Sequence, residues 1–383
     1  MTRRLALVIA LLAASPAGAS TLQTWTTTSR FVDVTKVHFN TCPQGAPKPT
    51  KDLPLEILYP DGYTPAKRWP VLWLLHGHGD CYWSWASDRG QIQTLAKGFP
   101  GIVVMPEAGT GWYTNWWEGG ARTPAWERYY LEELLPLVNR RLPIAPGRAN
   151  HAIAGLSMGG EGAMFLAEAR PGYFGAAASF SGTLSLLRPE WPTGFDTQGE
   201  KHTDVFGDPQ AQAFYWQGHD PTTLAPNLRY TRLFVTVGDG VDSKGENPSN
   251  YFGAIAEADL RQHADDFVAA AKKAGDDVTY QPGHGIHDWP YWRDDLVAAL
   301  KWNFFKPVTQ APASWTYTTV AQHGAAWDMR FDFTKPPATL ITFTRSQKSV
   351  SATGSGTVAL HFSGRRPVRW TLPFAHRPLP PRR

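Results

Sequence analysis

The chain has 383 residues, a length that suits an α/β enzyme with an additional C-terminal segment. Its formal net charge is only +4, and basic and acidic residues are interspersed, which argues against a nucleic-acid-binding protein. Hydrophobic residues make up 42% of the chain, enough for a large buried core.

The first nineteen residues have the pattern of a secretory signal peptide. Two arginines form a positive segment, an apolar run follows from Leu5 to Ala14, and small residues precede Ser20. No other apolar run approaches the length of a membrane span. We therefore expect residues 1–19 to be removed and the mature protein to be exported without an integral membrane segment. An uncleaved leader that tethers the protein to a membrane is the alternative.

Strands and helices alternate over most of the chain. Strands are predicted at residues 30–34, 36–39, 53–59, 71–75, 102–106, 152–154, 174–181, 232–237 and 278–280. Helices are predicted after Thr123-Pro124 with a kink at Pro136, after Ser157, over 258–274 and through Leu300. This alternation is typical of a doubly wound, mostly parallel sheet covered on both faces. Residues 182–228 lack periodicity and are predicted to form a lid-like insertion.

Beyond a linker at residues 307–312 the pattern changes to strands only. They are predicted at 315–320, 327–333, 339–344, 357–362 and 368–372. This series predicts a small all-β appendage, organised as a β-sandwich. The expected domains are therefore a catalytic α/β domain at 20–306, a β-rich accessory domain at 307–377 and a disordered tail at 378–383.

The chain has two cysteines, Cys42 and Cys81. In an exported protein such a pair suggests one disulfide, which would join the loop around Cys42 to the loop after Leu75. Two free thiols are the alternative. No C-x-x-C or H-E-x-x-H spacing occurs, so neither a metal site nor a cofactor is predicted.

A G-x-S-x-G pentapeptide occupies residues 155–159, between a predicted strand and a predicted helix. In so tight a turn the backbone of Ser157 is strained, and only residues without bulk, such as Gly155 and Gly159, fit beside it. The turn exposes the serine hydroxyl and aims the Met158 backbone N–H at a developing oxyanion. The pattern therefore predicts a nucleophile, and a chance glycine-rich turn is the alternative.

The remaining catalytic groups must come from other loops. A glycine-rich loop after strand 71–75 offers the His78 backbone N–H as a second oxyanion donor, although it could be a plain turn. A serine hydroxyl needs a base, and His287 follows the last predicted strand, with His284 as its competitor. Spacing alone does not decide whether Asp239 or Glu257 is the acid that orients this base.

Four stretches carry a family resemblance: residues 73–77, 103–106, 155–160 and 285–296. Between residues 55 and 305 the chain resembles the putative-esterase branch of the α/β hydrolases, which includes esterase D-type enzymes, feruloyl esterases and actinobacterial mycolyltransferases. The resemblance implies an α/β-hydrolase fold and places the acid at Glu257, ahead of the helix that carries Phe267. Gly79 stands where mycobacterial mycolyltransferases have an arginine, which favours hydrolysis over mycolate transfer.

Aromatic residues are concentrated in loops that follow predicted strands. Trp83, Trp116 and Trp289 are the candidate substrate-binding residues, which would stack on sugars or line a groove for an acyl chain. Packing within these loops is the alternative explanation.

The combined prediction is a secreted serine esterase or acyltransferase with a Ser-His-Glu triad and an acyl-enzyme intermediate. Its partner would be a small-molecule, glycan or lipid ester, and no feature predicts an oligomeric state. Acyl transfer to a sugar or glycerol hydroxyl is the alternative activity. A non-catalytic cell-wall- or glycan-binding protein on a hydrolase scaffold is the alternative from another functional class.

Overall fold

The computed structural model describes residues 19–117 and 123–383. Apart from its last residue, the predicted signal peptide at 1–19 therefore lies outside the described residues. Within the described part of the chain, no helix combines the length and the apolar character that crossing a bilayer requires.

Within these residues the larger sheet has eight strands. They are β1 (Thr21–Thr27), β2 (Leu53–Tyr59), β3 (Val71–Leu75), β4 (Ile102–Pro106), β5 (His151–Leu156), β6 (Ala176–Phe180), β7 (Arg232–Val237) and β8 (Asp277–Pro282). Their order across the sheet is β1-β2-β4-β3-β5-β6-β7-β8. β1, β2 and β4 pair antiparallel, whereas all pairs from β4 through β8 are parallel, so the predicted mostly parallel sheet is confirmed.

Helices cover both faces of this sheet. In the described residues they are α1 (Ile92–Leu95), α2 (Trp126–Arg128), α3 (Leu135–Arg141), α4 (Met158–Ala169), α5 (Trp191–Asp196), α6 (His202–Val205), α7 (Ala213–Gln217), α8 (Pro221–Leu224), α9 (Tyr251–Ala274) and α10 (Trp289–Trp302). Val71 and Trp73 of β3 share one core with α4 and α9, whereas Leu72 and Leu74 share a second core with α1 and α10. Because successive strand residues face opposite sides, a continuous apolar run serves both cores.

The predicted edge strands at residues 30–34 and 36–39 are wrong. The chain forms a loop there, and the strand that pairs with β2 is the earlier β1. Val32 and Phe39 are buried in the main core. The alternating pattern therefore reflects a loop that is anchored by spaced apolar side chains.

The helical segment after Thr123 begins later than predicted, at α2. Asn115 and Ala125 form an isolated antiparallel bridge, which keeps the backbone extended up to the start of α2. The predicted kink takes the form of a π-helical segment, Tyr129–Leu134, that ends just before Pro136. Because proline has no N–H to donate, regular α-helical hydrogen bonding is interrupted at this point.

The insertion at residues 182–228 contains the short helices α5 to α8 and packs into the main core. Trp191 and Phe195 are both buried there. Phe195 contacts Trp112, with ring centroids 4.5 Å apart. The insertion is therefore a packed cover over the loop that carries Trp112, and its function as a lid stays a prediction.

A second, antiparallel sheet follows α10. Its strands are β9 (Trp315–Thr319), β10 (His323–Ala326), β11 (Met329–Phe333), β12 (Ile341–Arg345), β13 (Ser349–Phe362) and β14 (Val368–Pro378). β11 and β12 pair with different halves of β13, which bends at Gly354 and Gly356, where φ is 97° and 114°. Phe331 and Phe343 then meet across the fold. The all-β appendage is confirmed, but it is one folded sheet instead of the expected sandwich of two sheets.

The tail at residues 378–383 is held against this sheet, so the prediction of a disordered tail is wrong. The Leu379 N–H donates to the Lys348 carbonyl at 3.0 Å, and the Arg383 N–H donates to the Gly364 carbonyl at 3.1 Å. Composition suggested disorder because prolines and arginines dominate the tail, yet its backbone groups find partners in neighbouring loops.

Cys42 and Cys81 form the predicted disulfide, which links the loop before β2 to the loop after β3. Tyr82 packs with them in a small apolar cluster. The Glu107 carboxylate lies close to both sulfurs. Sulfurs in a disulfide lack the thiolate charge that a metal ligand needs, so this cluster is not a metal site.

Candidate active site

Ser157 lies at the turn between β5 and α4, where the pentapeptide predicts it. Its φ of 52° and ψ of −124° form a conformation that non-glycine residues rarely adopt. Such strain costs on the order of 1–3 kcal/mol and persists only where the surroundings hold it. Here the Ser157 N–H donates to the Phe180 carbonyl at 2.9 Å, and the Gly160 N–H donates to the Ser157 carbonyl at 2.8 Å.

Two glycines make this turn possible. A Cβ added to Gly155 would lie 2.2 Å from the carbonyl oxygen of Gly159, and a Cβ added to Gly159 would lie 2.5 Å from that of His76. Neither contact is possible for a real side chain. The start of α4 therefore approaches β3 and β5 closely only because both positions lack a Cβ.

His287 lies beside Ser157, although 130 residues separate them in the chain. Its Nε2 is 2.9 Å from the Ser157 Oγ, and its Nδ1 is 2.8 Å from the Glu257 Oε2. The Trp292 ring packs edge-on against the imidazole, and the His287 backbone N–H donates to the Gly253 carbonyl. Hydroxyl, imidazole and carboxylate thus form one continuous hydrogen-bonded chain.

Glu257 lies within α9, whereas the sequence placed it ahead of that helix. The helix begins at Tyr251, because the Asn250 side chain caps it by accepting from the Gly253 N–H. The buried Glu257 accepts a hydrogen bond at Oε1 from the Gly238 N–H, at 2.6 Å. Together with the contact to the His287 imidazole, this bond fixes the orientation of the carboxylate.

The competing acid and histidine form a separate pair. The Asp239 Oδ2 is 2.7 Å from the His284 Nδ1, and the His284 side chain is 69% exposed. The structure therefore brings Glu257 and His287 together beside Ser157 and leaves Asp239 and His284 at the surface.

The two predicted oxyanion donors belong to segments next to this turn. Met158 opens α4, and His78 lies in the loop after β3, where a Cβ on Gly77 would be 3.4 Å from the Ser157 Cβ. Within residues 19–117 and 123–383, neither the Met158 N–H nor the His78 N–H has a protein acceptor. Both amides are therefore free to bind a ligand oxygen.

A buried contact between a histidine and a glutamate supports the loop that carries His78. The His76 Nε2 is 3.2 Å from the Glu107 Oε1, and the Tyr113 hydroxyl donates to the His76 carbonyl. Burial disfavours the charged imidazole, but the hydrogen bond and charge of Glu107 outweigh it and raise the pKa of His76. Burial likewise opposes ionisation of Glu107, yet His76 lowers the pKa of its carboxyl. Each partner thus favours the charged form of the other.

The three candidate substrate-binding tryptophans lie in different environments. Trp83 is half-buried against the Cys42–Cys81 disulfide, and its role stays a prediction. Trp116 lines a cavity whose wall includes none of the three hydrogen-bonded residues described above. Trp289 is only 8% exposed and packs on Trp85 inside the second core, which leaves it little surface for a substrate.

Sequence reasoning missed two side chains next to the site. The Ser181 hydroxyl donates to the Glu257 Oε1 at 2.6 Å and accepts from the Trp292 Nε1–H at 3.2 Å. Glu200, from the insertion, forms a hydrogen bond with the His78 imidazole. Ser181 had a signal, since it ends a predicted strand next to the nucleophile strand. Glu200 had none, because nothing in an aperiodic insertion indicates which loop it covers.

A second carboxyl lies near Glu257. Burial raises the pKa of Asp295 well above its usual range, and the Glu257 charge raises it further, while a hydrogen bond with Thr236 opposes the shift.

Comparisons with known proteins identify the family of this chain and several relatives. The family model described as "Putative esterase" matches residues 47–303. A diacylglycerol acyltransferase/mycolyltransferase, Ag85C of Mycobacterium avium, is 31% identical over 212 residues, covering 51% of this chain and 58% of the relative. An esterase of Mycobacterium tuberculosis is 30% identical over 232 residues, covering 58% of this chain and 49% of the relative. The chain therefore spans only about half the length of these curated relatives.

Solved structures share the fold. An S-formylglutathione hydrolase from Agrobacterium tumefaciens has a TM-score of 0.55 at 18% identity and covers 76% of this chain and 97% of its own. A ferulic acid esterase has a TM-score of 0.53 at 21% identity, with coverages of 75% and 98%. These similarities confirm the predicted α/β-hydrolase fold.

Proposed function

The chain belongs to the putative esterase family, and we propose that it is a serine carboxylic-ester hydrolase. The observation that carries this proposal is the hydrogen-bonded chain from Ser157 through His287 to Glu257. A hydroxyl is a weak nucleophile until a base removes its proton, and this arrangement supplies the base and the group that orients it.

In the proposed reaction the Ser157 Oγ attacks the ester carbonyl carbon while its proton moves to the His287 Nε2. The negative charge that develops on the carbonyl oxygen is stabilised by the Met158 and His78 backbone N–H groups. His287 then gives its proton to the departing alcohol, which leaves an acyl group on Ser157. Water attacks this acyl-enzyme while His287 takes one of its protons. The bond between the acyl carbon and the Ser157 Oγ then breaks, His287 returns the proton to Oγ, and the carboxylic acid is released.

Water is the proposed acyl acceptor. Gly79 follows the predicted oxyanion residue, and a Cβ there would meet no atom of residues 19–117 and 123–383 within 4 Å. Gly79 therefore supplies no side chain in place of the arginine that the family resemblance associates with mycolate transfer. Acyl transfer to a sugar or glycerol hydroxyl is the alternative, which the name of the acyltransferase relative favours.

We also propose that the protein is secreted and that the chain divides at about residue 306. The charged and apolar pattern of residues 1–19 supports export, and the Cys42–Cys81 disulfide fits an oxidising compartment. Separate apolar cores in the two sheets support a catalytic unit at 20–306 and an accessory unit at 307–377.

A fluorophosphonate probe, which reacts with activated serines, tests the proposed function. We expect the wild-type protein to be labelled, Ser157→Ala to be unlabelled, and the exposed control Ser249→Ala to be labelled like the wild type. Turnover of short p-nitrophenyl esters should follow the same pattern. An unlabelled, inactive wild type that still binds glycans would instead support a non-catalytic binding protein.

A further inference from the structure

A cavity of about 750 Å³ lies between the helices of the larger sheet and the C-terminal sheet. We call it the junction cavity. One wall includes Trp117 and Tyr215, and the other includes Arg330 and Asp332 of β11. This volume is in the range of sites that hold ligands of several hundred daltons.

The junction cavity is distinct from the candidate active site. Ser157 stands at the N-terminal end of α4, whereas the cavity is lined by Phe165, Ala169 and Arg170 at the other end of this helix. At a rise of 1.5 Å per residue, Ala169 lies about 18 Å along the helix from Ser157, and Phe165 lies about 12 Å from it. A ligand in the cavity would therefore not touch the triad.

One wall of the cavity is aromatic and held in place. Trp117 and Tyr215 pack edge to face with centroids 4.9 Å apart, and the Tyr215 hydroxyl donates to the Asn115 carbonyl. Trp116, beside them, donates from its Nε1–H to the Gly111 carbonyl at 3.2 Å. Because these rings are ordered by their own contacts, a ligand would lose little free energy in fixing them.

The charged groups around the cavity nearly balance. The lining includes three carboxyl groups and three guanidinium groups, contributed by Glu127, Glu132, Asp332, Arg128, Arg170 and Arg330. Burial raises the pKa of Glu127 to about 7, so this carboxyl is only partly ionised near neutral pH. Glu132 is shared between Arg128, at 2.9 Å, and His323, at 2.8 Å. A balanced lining favours neither a strongly anionic nor a strongly cationic ligand. It does offer many donors and acceptors to a neutral molecule that is rich in hydroxyl groups.

We propose that the junction cavity binds a neutral saccharide, at a site separate from the ester-cleaving centre. Sugar rings present C–H faces that pack on aromatic rings and hydroxyl edges that hydrogen-bond to carboxylate, guanidinium and amide groups. Both surfaces are present here. Binding a glycan at this point would hold the enzyme on a polymer and raise the local concentration of ester groups near Ser157.

Affinity electrophoresis through gels that contain soluble arabinoxylan, galactomannan or mixed-linkage β-glucan tests the proposal, with anionic polygalacturonate as the comparison. We expect at least one neutral polysaccharide to retard the wild type and Ser157→Ala equally, and polygalacturonate to have no such effect. The double variant Arg330→Ala/Asp332→Ala leaves the net charge unchanged and should weaken binding at least tenfold, measured by calorimetry with matching oligosaccharides. Arg369→Ala, an exposed change on β14, is the control.

His361→Ala, a single exposed change in the cavity wall, provides a second variant if the double variant melts at a lower temperature. No retardation by any neutral polysaccharide would overturn the proposal. Binding that both cavity variants retain, or that Ser157→Ala loses, would also overturn it. Fluorophosphonate labelling of Ser157 does not depend on this cavity, so failure here is distinguishable from failure of the proposed hydrolase.

Discussion

Replacing Glu257 with glutamine tests the proposed triad most directly, because the structure predicts which way the amide must point. The Gly238 N–H can only donate, so the amide oxygen should take the place of Oε1. The amide NH₂ then faces the His287 Nδ1, which must accept. The imidazole proton moves to Nε2, where it faces the Ser157 Oγ and blocks proton transfer from the serine.

The expected loss of kcat follows from the cost of the flipped amide orientation and from the loss of the carboxylate charge. Flipping the amide would restore the imidazole tautomer but would set an NH₂ against the Gly238 N–H, at a cost of about 1–3 kcal/mol. Loss of the negative charge beside the imidazolium of the transition state adds about 1.5–3 kcal/mol, the value of a hydrogen bond to a charged group. The sum corresponds to a fall in kcat of roughly 10²- to 10⁴-fold.

The assay is steady-state hydrolysis of p-nitrophenyl acetate, with a thermal melt to confirm that the variant is folded. Asp239→Asn is the matched control, because it makes the same carboxyl-to-amide change in the surface pair with His284. We expect that control to stay within threefold of wild type. A folded Glu257→Gln enzyme that retains more than a tenth of the wild-type kcat would refute the assignment, and a large loss in Asp239→Asn would transfer the role to Asp239.

Three further predictions concern the His78 loop, a buried glutamate in β2 and the C-terminal sheet. Glu200→Gln removes the charge from the hydrogen bond to His78, so kcat/KM for small esters should fall about fivefold, equivalent to about 1 kcal/mol, with an unchanged melting temperature. Burial raises the pKa of Glu56 to about 7, although a hydrogen bond from Thr24 opposes this shift. Protonated Glu56 therefore stabilises the folded state below about pH 4.5, and this contribution to the free energy of unfolding is lost as the pH rises through 7. Glu56→Gln should therefore increase the free energy of unfolding in urea at pH 8, by at most about 3 kcal/mol, and change it little at pH 4.5. Deleting residues 307–383 should preserve p-nitrophenyl ester turnover within about threefold. It should lower the melting temperature, because the Arg148 guanidinium loses its hydrogen bond to the Thr309 carbonyl. A deletion variant that cannot fold would contradict the assignment of these residues to an accessory unit.

The central strands could be predicted from the sequence because burial on both faces leaves a simple signal. β2, β3, β4 and β7 begin and end at the predicted residues. The turn at Ser157 was equally accessible, since its two glycines are demanded by contacts of under 3 Å. In both cases a local pattern has one steric explanation, and the tertiary structure does not override it.

Other features depend on contacts between distant segments, which no local pattern contains. The delayed start of α2 follows from the bridge between Asn115 and Ala125, and the ordered tail follows from the Lys348 and Gly364 carbonyls. The alternation at residues 30–39 was misread because period-two spacing also occurs where a loop inserts side chains into a core. Such cases require the partner segment to be known.

The proposed triad acid, Glu257, could have been recognised from the periodicity of α9 if the helix had been extended towards its N-terminus. Leu260, Ala264, Phe267 and Ala271 are buried on one side of α9, and their spacing extended backwards by three residues reaches Glu257. A carboxylate on the buried stripe of an amphipathic helix is costly unless hydrogen-bond donors meet it. The position of Asp239 does not indicate a hydrogen-bonded site in this way, because a polar loop beside glycines accommodates an aspartate without a partner. The predicted helix start at residue 258 concealed this distinction, since it removed Glu257 from the stripe on which its position is informative.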